Sequence, residues 1–555
     1  MVQSLPRDLR LRLAIPTLFL LLTACEGSIV PGDRAEPLAP ATCATVGAPK
    51  TKLIRLTHAQ YDNTVRDLFG LTVSPSADFQ KDPTFQGFNN NADGLTVADR
   101  LGRDYRRAAE DLGLQVVTTP GARAKVVPCA GTSDDCAKQF ISSFGRRAFR
   151  RPLTTDENAK YLTLFKSADA VLDGPDPFTK GLELVIEAML QTPHFLYRVE
   201  LAESAPRDNL VPLTGYEIAS RLSYMLWNTT PDAALLALAD GGKLATPQQV
   251  KAQAVAMLED PRAEQIVDDF HSQWLRLDKY NNLTRDPATY PTFSAALSPM
   301  MQEETLRFVR SVIFDDKAGF PSLFTANYTY ANKELAAIYG VSGPTSSTVF
   351  QKIQLDPTKR AGLLTQTGFL ASHAYTKTDS PIHRGVFMIR NVLCLPQNDP
   401  PPGVDLKLPP LTGTVKTTRQ QVAAHTSPAT CNACHARINT MGYAFEHYDA
   451  IGQYRDLENG EMVDSTGTLK LAEKETPFND AVGFSAAISE SFEARGCYAV
   501  NWLRYAYQRQ DAPDDACDLR ALSENLGKPG YSIKEMIADL TQSRSFMNRP
   551  VEALP

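Results

Sequence analysis

Near the end of the chain two thiols stand three residues apart, with an imidazole directly after the second: Cys431-Asn432-Ala433-Cys434-His435. Thiols at this spacing can each add across one vinyl group of a haem, forming thioethers. The adjacent histidine then falls under the iron as its proximal ligand. The run therefore calls for one covalent haem c on Cys431 and Cys434, with His435 on the metal. Two other chemistries use the same residue types. One is a Cys431–Cys434 disulfide of the redox-active CxxC kind. The other is a zinc site, for which Cys434 and His435 are awkward as neighbouring ligands and for which no second CxxC pair exists.

A sixth iron ligand has four candidates. Met441 is close in sequence, but close enough that swinging to the opposite haem face is difficult. Met462, in the turn-rich stretch from Glu458 to Gly467, could reach across. His425 or His447 would give bis-histidine iron with a lower potential. An open sixth position is the remaining arrangement.

Thioether haem is attached outside the cytoplasm, and the N-terminus carries an export signal. Arg7, Arg10 and Arg12 flank an apolar stretch from Leu13 to Leu22, too short to span a bilayer permanently. It ends Leu22-Thr23-Ala24-Cys25, which resembles the lipobox of bacterial lipoproteins, with Cys25 as the lipidated mature N-terminus. Glu26 follows, so the inner-membrane retention signal given by Asp at that position is absent. The expectation is a lipid-anchored protein of the cell envelope, at the outer membrane and facing periplasm or exterior, with no transmembrane helix.

The chain holds nine cysteines. Setting aside one for lipid and two for haem leaves an even number, as disulfides in an exported protein require. Cys129 with Cys136 spans a short polar loop, and Cys497 with Cys517 would tie consecutive segments. Cys43 with Cys394 then follows by elimination. Net charge is −6, which offers no general basic surface to nucleic acid. The dense run Arg146, Arg147, Arg150 and Arg151 reads as a solvated or acid-paired helix face.

Helices must position the motif. Thr57…Gln60, Thr154…Glu157, Thr214…Glu217, Thr246…Gln249 and Ser532…Glu535 each fit the capping box, ahead of apolar runs. Val97, Leu101, Tyr105, Ala108 and Leu112 share one helical face, as do Ile218, Leu222, Met225 and Leu226. The best strand candidate is Val349 to Leu355, with Val349, Ile353 and Leu355 on one face. Pro396–Gly403 is a stiff connector. The fold class expected is mainly α, multidomain, with a cytochrome c-like haem module near the C-terminus. The divisions read are a signal peptide (1–24), a tether (25–50) and an N-terminal helical module (51–115). A helical module with Cys129 and Cys136 (116–205), a central helical module (206–343), the haem module (344–475) and a C-terminal helical module (476–555) follow.

A series of phrases carries a resemblance. In order they are LTHAQYDNTVRDLFG (56–70), GFNNNADGL (87–95), CAKQFISSFGRRAFRRPLTTDE from Cys136, MLQTPHFLYRVE, LTGYEIASRLSYMLWNTTPD and FHSQWLRL. Then come RAGLLTQTGFLASHA, SPIHRGVFMIRNVLC, HTSPATCNACHARINTMGYAFEHYDAIGQYR and RGCYAVNWLRYAYQRQ. The order resembles a family of large secreted bacterial proteins, common in planctomycetes and myxobacteria. They are built from consecutive domains of unknown function, the series numbered in the fifteen-eighties and fifteen-nineties, with a cytochrome c-like haem motif near the end. After the haem histidine that family usually runs Asp-Pro-Leu-Gly, where this chain has Asn439, Thr440, Met441 and Gly442. The resemblance implies a haem protein and stops short of a reaction.

Three roles fit. One is electron transfer or redox partnership at the envelope with an unnamed partner. Another is a haem-dependent peroxidase or oxygenase-like enzyme acting on a small molecule. The third is an envelope binding or scaffold protein with structural haem. Met or His as sixth ligand predicts the first, and an empty or water-bound position allows the second. No GxSxG, HExxH, P-loop or dinucleotide fingerprint suggests another catalyst, and no catalytic residue is read from spacing.

Overall fold

The structure, a computed structural model, describes residues 52–400, 403, 408–410, 412–472 and 474–551. Cys25, Cys43, the signal segment and the tether lie outside the described residues. The architecture is mainly helical, and the described strands form only two-stranded antiparallel pairs.

The first unit is built from α1 (His58–Phe69), α2 (Asp99–Thr118), α3 (Asp134–Ala148) and α4 (Pro177–Leu190). These helices share one buried apolar cluster, to which Leu101, Tyr105, Ala108 and Leu112 of α2 contribute. Val97 lies just before α2 and is exposed. The second unit contains α5 (Gly215–Leu226), α6 (Ala263–Trp274), α7 (Leu297–Arg310), α8 (Pro381–Phe387), α9 (Thr418–His425), α10 (Ala429–Tyr443), α11 (Phe492–Tyr507) and α12 (Ile533–Leu540). A single apolar cluster takes in residues from Ile218 to Phe546 together with Phe88, so this long stretch buries its side chains together.

All five capping boxes expected from the sequence form, each with the hydroxyl accepting from the third residue's N–H and the Glu or Gln reaching back. The strand near Val349 forms over Gln351–Gln354 and pairs with Tyr328–Ala331, leaving Val349 outside it and exposed. Two further pairs join distant segments. Ile54–Arg55 pairs with Tyr197–Arg198, and Leu210–Pro212 pairs with Asn548–Pro550.

The arginine run is not a solvated face. Arg146 pairs with Asp240 and Arg151 with Glu157, but Arg147 donates to the carbonyls of Asp67 and Leu68 at 2.9 Å. Arg150 is buried, with φ of 61°. Its guanidinium donates to the carbonyls of His194, Phe195 and Tyr197 and, at 3.1 Å, to the Tyr224 hydroxyl of α5. It thereby links the first unit to the second, and its charge is spent on backbone oxygens.

One disulfide expectation needs correction. Cys129 pairs with Cys136, but Cys497 pairs with Cys394 and not with Cys517, which is disulfide-bonded elsewhere. The Cys43–Cys394 pairing is overturned by the same bond. Cys497 is buried on α11, and the face it presents meets the segment that follows α8. That packing decides the partner, 103 residues away in sequence, over the neighbour on the next helix.

Candidate haem-binding helix

Cys431, Cys434 and His435 all lie in the first half of α10. At about 100° per residue, Cys431, Cys434, His435, Ile438, Met441 and Gly442 form one stripe along the helix. The stripe has two halves. Its C-terminal half is covered by α8, and Ile438 and Met441 there are only 4% and 1% exposed. The N-terminal half has no comparable cover among the described residues, since Cys434 is exposed and Cys431 and His435 are partly so. The stripe thus packs at one end and stands open at the other among the described residues.

The close fit of α8 on α10 comes from two glycines. A Cβ on Gly442 would lie 1.9 Å from the Pro381 carbonyl oxygen, and one on Gly385 would lie 2.0 Å from that of Ile438. Only hydrogen fits at either position, which explains the glycines in the SPIHRG phrase and after the motif.

His435 is oriented from behind. Its Nδ1 donates to Asn439 Oδ1 at 3.1 Å, and Asn439 Nδ2 donates to Thr426 Oγ1 at 2.8 Å. Asn439 is buried. With Nδ1 occupied, Nε2 is the nitrogen left to bind a metal. A second acceptor that fixes tautomer and ring direction is what metal-bound histidines normally have. The residue that replaces the family's Asp thus keeps its acceptor, and Thr440, in the family's Pro position, only returns a bond to the Ala436 carbonyl at 2.8 Å.

Beneath the C-terminal half of α10 lies a buried ionic network. Arg384 has a fully buried side chain and donates to the carbonyls of Phe445, Asp449 and Tyr448 at 2.9, 3.0 and 3.1 Å. Asp379 lies 3.7 Å from Arg384 and 3.1 Å from Arg455, while Glu458 takes Arg455 at 3.3 Å and the Thr418 hydroxyl at 2.7 Å. Three carboxyls, Asp379, Glu446 and Glu458, meet two guanidinium groups. Burial, with Asp379 and Glu458 nearby, pushes the Glu446 carboxyl well above the usual range. That direction favours the neutral form of Glu446, which eases the cost of burying three carboxyls against two guanidinium groups. Arg384 and Arg455 are therefore committed to the protein.

The distal candidates fall apart in space. Met441 is in the core on His435's own helix and stripe, so it cannot reach the opposite face of a haem held by that histidine. His447 gives Nδ1 to the Arg455 carbonyl at 2.8 Å and stacks on Tyr454 with an interplanar angle of 1°. Met462 is 72% exposed, on a hairpin tied to the start of α9 by Lys416–Glu461. That end of α9 meets Tyr443 through Arg419, and Tyr443 is about 12 Å along α10 from His435. His425 closes α9, one residue before the Thr426 that holds Asn439.

Beside Cys434 is a cavity of about 290 Å³, lined by Ala433, Arg437, Pro396, Gln397 and Asn398. Its second wall is the segment that leaves Cys394, itself pinned to α11 by the disulfide. Arg437 is exposed and makes no ion pair or hydrogen bond with the described residues. Cys431 and Cys434 are free thiols, whereas the other described cysteines are all in disulfides. Among the described residues no group of three or more His, Cys, Asp or Glu side chains is placed to hold a metal ion. No described helix is long and apolar enough to cross a membrane. Sequence reasoning had no signal for Asn439 as the imidazole's acceptor beyond its position, four residues along the helix.

A mainly helical chain with a half-covered CxxCH helix near its end is the class that fold and site define. Five family models then match consecutive stretches, each described as a protein of unknown function: DUF1587 at 55–118, DUF1595 at 136–200, DUF1592 at 213–341, DUF1588 at 360–458 and DUF1585 at 474–546. The chain is built from this series of consecutive domains. The model covering 360–458, and with it α8 to α10, bears the short name PSCyt3. No curated protein and no solved structure matches the chain.

Proposed function

We propose that the chain holds one haem c through thioethers to Cys431 and Cys434, with His435 Nε2 on the iron, and passes single electrons at the cell envelope. The observation that carries this reading is the α10 stripe. It is packed by α8 at Ile438 and Met441, then runs uncovered through two reduced thiols and a histidine whose Nδ1 is already engaged. The cytochrome-like short name of the matching domain agrees with it.

When bound, the haem would supply a one-electron couple. The chain's own residues do the rest. Asn439 keeps the imidazole oriented and makes it a better ligand. Arg437, without an ion pair among the described residues and three residues after Cys434, is the cation for a propionate. The 396–398 segment shields one edge, and the exposure of Cys434 leaves another open to a redox partner. Of the distal candidates we take His425, which closes α9 six residues before Cys431. Cys25 carries the lipid that holds the protein at the outer membrane.

The test is expression with the native export signal in a host that matures cytochromes c, followed by pyridine haemochrome and visible spectra. A two-thioether haem is expected, lost in Cys431→Ala/Cys434→Ala without loss of helical signal. Low-spin iron with no sulfur-to-iron charge-transfer band fits His425, and high-spin iron would move the reading to a peroxidase or oxygenase-like enzyme. No covalent haem, beside a control cytochrome that matures, would refute the proposal.

A further inference from the structure

Several of the phrases singled out in the sequence have no part in the haem helix, yet converge on one place. Thr57 to Gln60 at the start of α1, Asn89 and Asn90 of the GFNNNADGL phrase, Asn228 after α5, Asp269 of α6 and Tyr505 of α11 line a single cavity. Its volume is about 240 Å³, the share of roughly eight water molecules. These five stretches, spread between residues 57 and 505, meet here, and every one contributes a polar group.

The hydrogen-bonding groups of this cavity are only partly used. Asp269 Oδ2 receives the Tyr505 hydroxyl at 2.6 Å and Gln273 Nε2 at 3.0 Å, and Oδ1 receives nothing from the described residues. Asn90 is 5% exposed and donates to the Tyr505 carbonyl at 2.9 Å, but its Oδ1 is buried with no partner. His58 Nε2 is likewise buried without a hydrogen bond, 3.3 Å from Asp82 Oδ1. A buried acceptor left open inside a polar cavity points to a ligand that donates to it.

Charge selects among ligands. Asp82 is neutralised by Arg55, and its other oxygen accepts the His58 backbone N–H at 2.7 Å. Burial lowers the His58 imidazole and raises the Asp269 carboxyl, each toward its neutral form. With Lys81 only at the rim, the cavity carries no charge excess for an anion, and it lacks the ligand cluster a metal ion needs. Side-chain amides both donate and accept, as hydroxyl groups do.

We propose that this cavity binds a neutral, polyhydroxylated molecule the size of one sugar ring, with Asp269 Oδ1 and Asn90 Oδ1 accepting from its hydroxyls. Asn89 and Asn228 complete the contacts with amides that match either role. The site lies away from α10, so its test is independent of the haem reading. Saturation-transfer NMR on the full chain, with D-glucose, D-galactose, N-acetyl-D-glucosamine and glycerol as probes and acetate as a charged control, reads it directly. Transfer to at least one sugar and none to acetate is expected. Asn90→Leu and Asp269→Asn should each weaken binding about tenfold, the worth of one hydrogen bond. Should Asn90→Leu fail to fold, Asp269→Asn, which keeps the side chain's shape, carries the test. Absence of transfer to all four probes, equal transfer to acetate, or binding indifferent to the folded variants overturns the proposal.

Discussion

Replacing Gly442 by alanine sets two physical effects against each other. Helix propensity alone makes the change favourable, since alanine in a helix is about 1 kcal/mol better than glycine. The crossing of α8 over α10 says the opposite. The new Cβ would sit 1.9 Å from the Pro381 carbonyl oxygen and 2.5 Å from its carbon. Both are backbone atoms, so no side chain can swing aside, and the helices must part by about 1.5 Å to reach ordinary contact. Parting them strips van der Waals contacts from Ile438, Met441 and Phe387, each under 5% exposed. Overpacking of this kind costs typically 1–3 kcal/mol, and a backbone clash belongs at or above the upper end. We therefore expect Gly442→Ala to lose about 2 kcal/mol net. Urea unfolding followed by far-ultraviolet circular dichroism measures it, as a lower midpoint at unchanged slope. Gly385→Ala faces the same crossing, so the double variant should lose less than the two single losses added. A midpoint equal to the parent's, or higher, would mean that propensity wins and that the crossing is not as close as described.

Two further outcomes are expected. With the proposed haem bound, Asn439→Asp would put a charged acceptor on His435 Nδ1, which favours ferric iron, so the midpoint potential should fall by roughly 60 mV for each tenfold change in relative stabilisation. A redox titration showing no fall would remove Asn439 from the imidazole's surroundings. Glu304 is wholly buried and accepts from Tyr339, Thr329 and Thr367, yet burial still raises its carboxyl to about 7. Below pH 4.5 it is protonated folded or unfolded. Between there and pH 7 the unfolded chain ionises first, so stability on the order of 3 kcal/mol is lost as pH rises through the folded value. Glu304→Gln should flatten that part of the urea midpoint between pH 5 and 8, and parallel profiles for parent and variant would refute it.

What could be read from sequence was what local chemistry decides. A capping box needs four residues and no neighbour, so Thr57, Thr154, Thr214, Thr246 and Ser532 were all visible as helix starts. The burial of Leu101, Tyr105, Leu112, Ile218 and Leu222 followed from period alone. Partners chosen by tertiary packing were not visible. Arg150 looks like one more surface cation until its guanidinium finds carbonyls more than forty residues on. Cys497 had a nearer cysteine in sequence, but the face of α11 it occupies meets Cys394. The CxxCH run was legible as chemistry, whereas the acceptor on its imidazole depends on α10 continuing unbroken to Asn439.

That continuity also explains why the ionic network sits where it does. The Arg384 guanidinium spends itself on the carbonyls of Phe445, Tyr448 and Asp449, the residues just beyond α10, and so fixes the chain where the helix ends. Gly385 and Gly442 fix the same half of the helix against α8. Among the described residues nothing comparable grips the half that carries Cys431, Cys434 and His435. A helix anchored at one end holds its free end in a defined direction without covering it. A buried ion network is weak evidence for stability by itself. Here its value is positional, because the Arg384 guanidinium fixes the exit of the helix that presents the thiols.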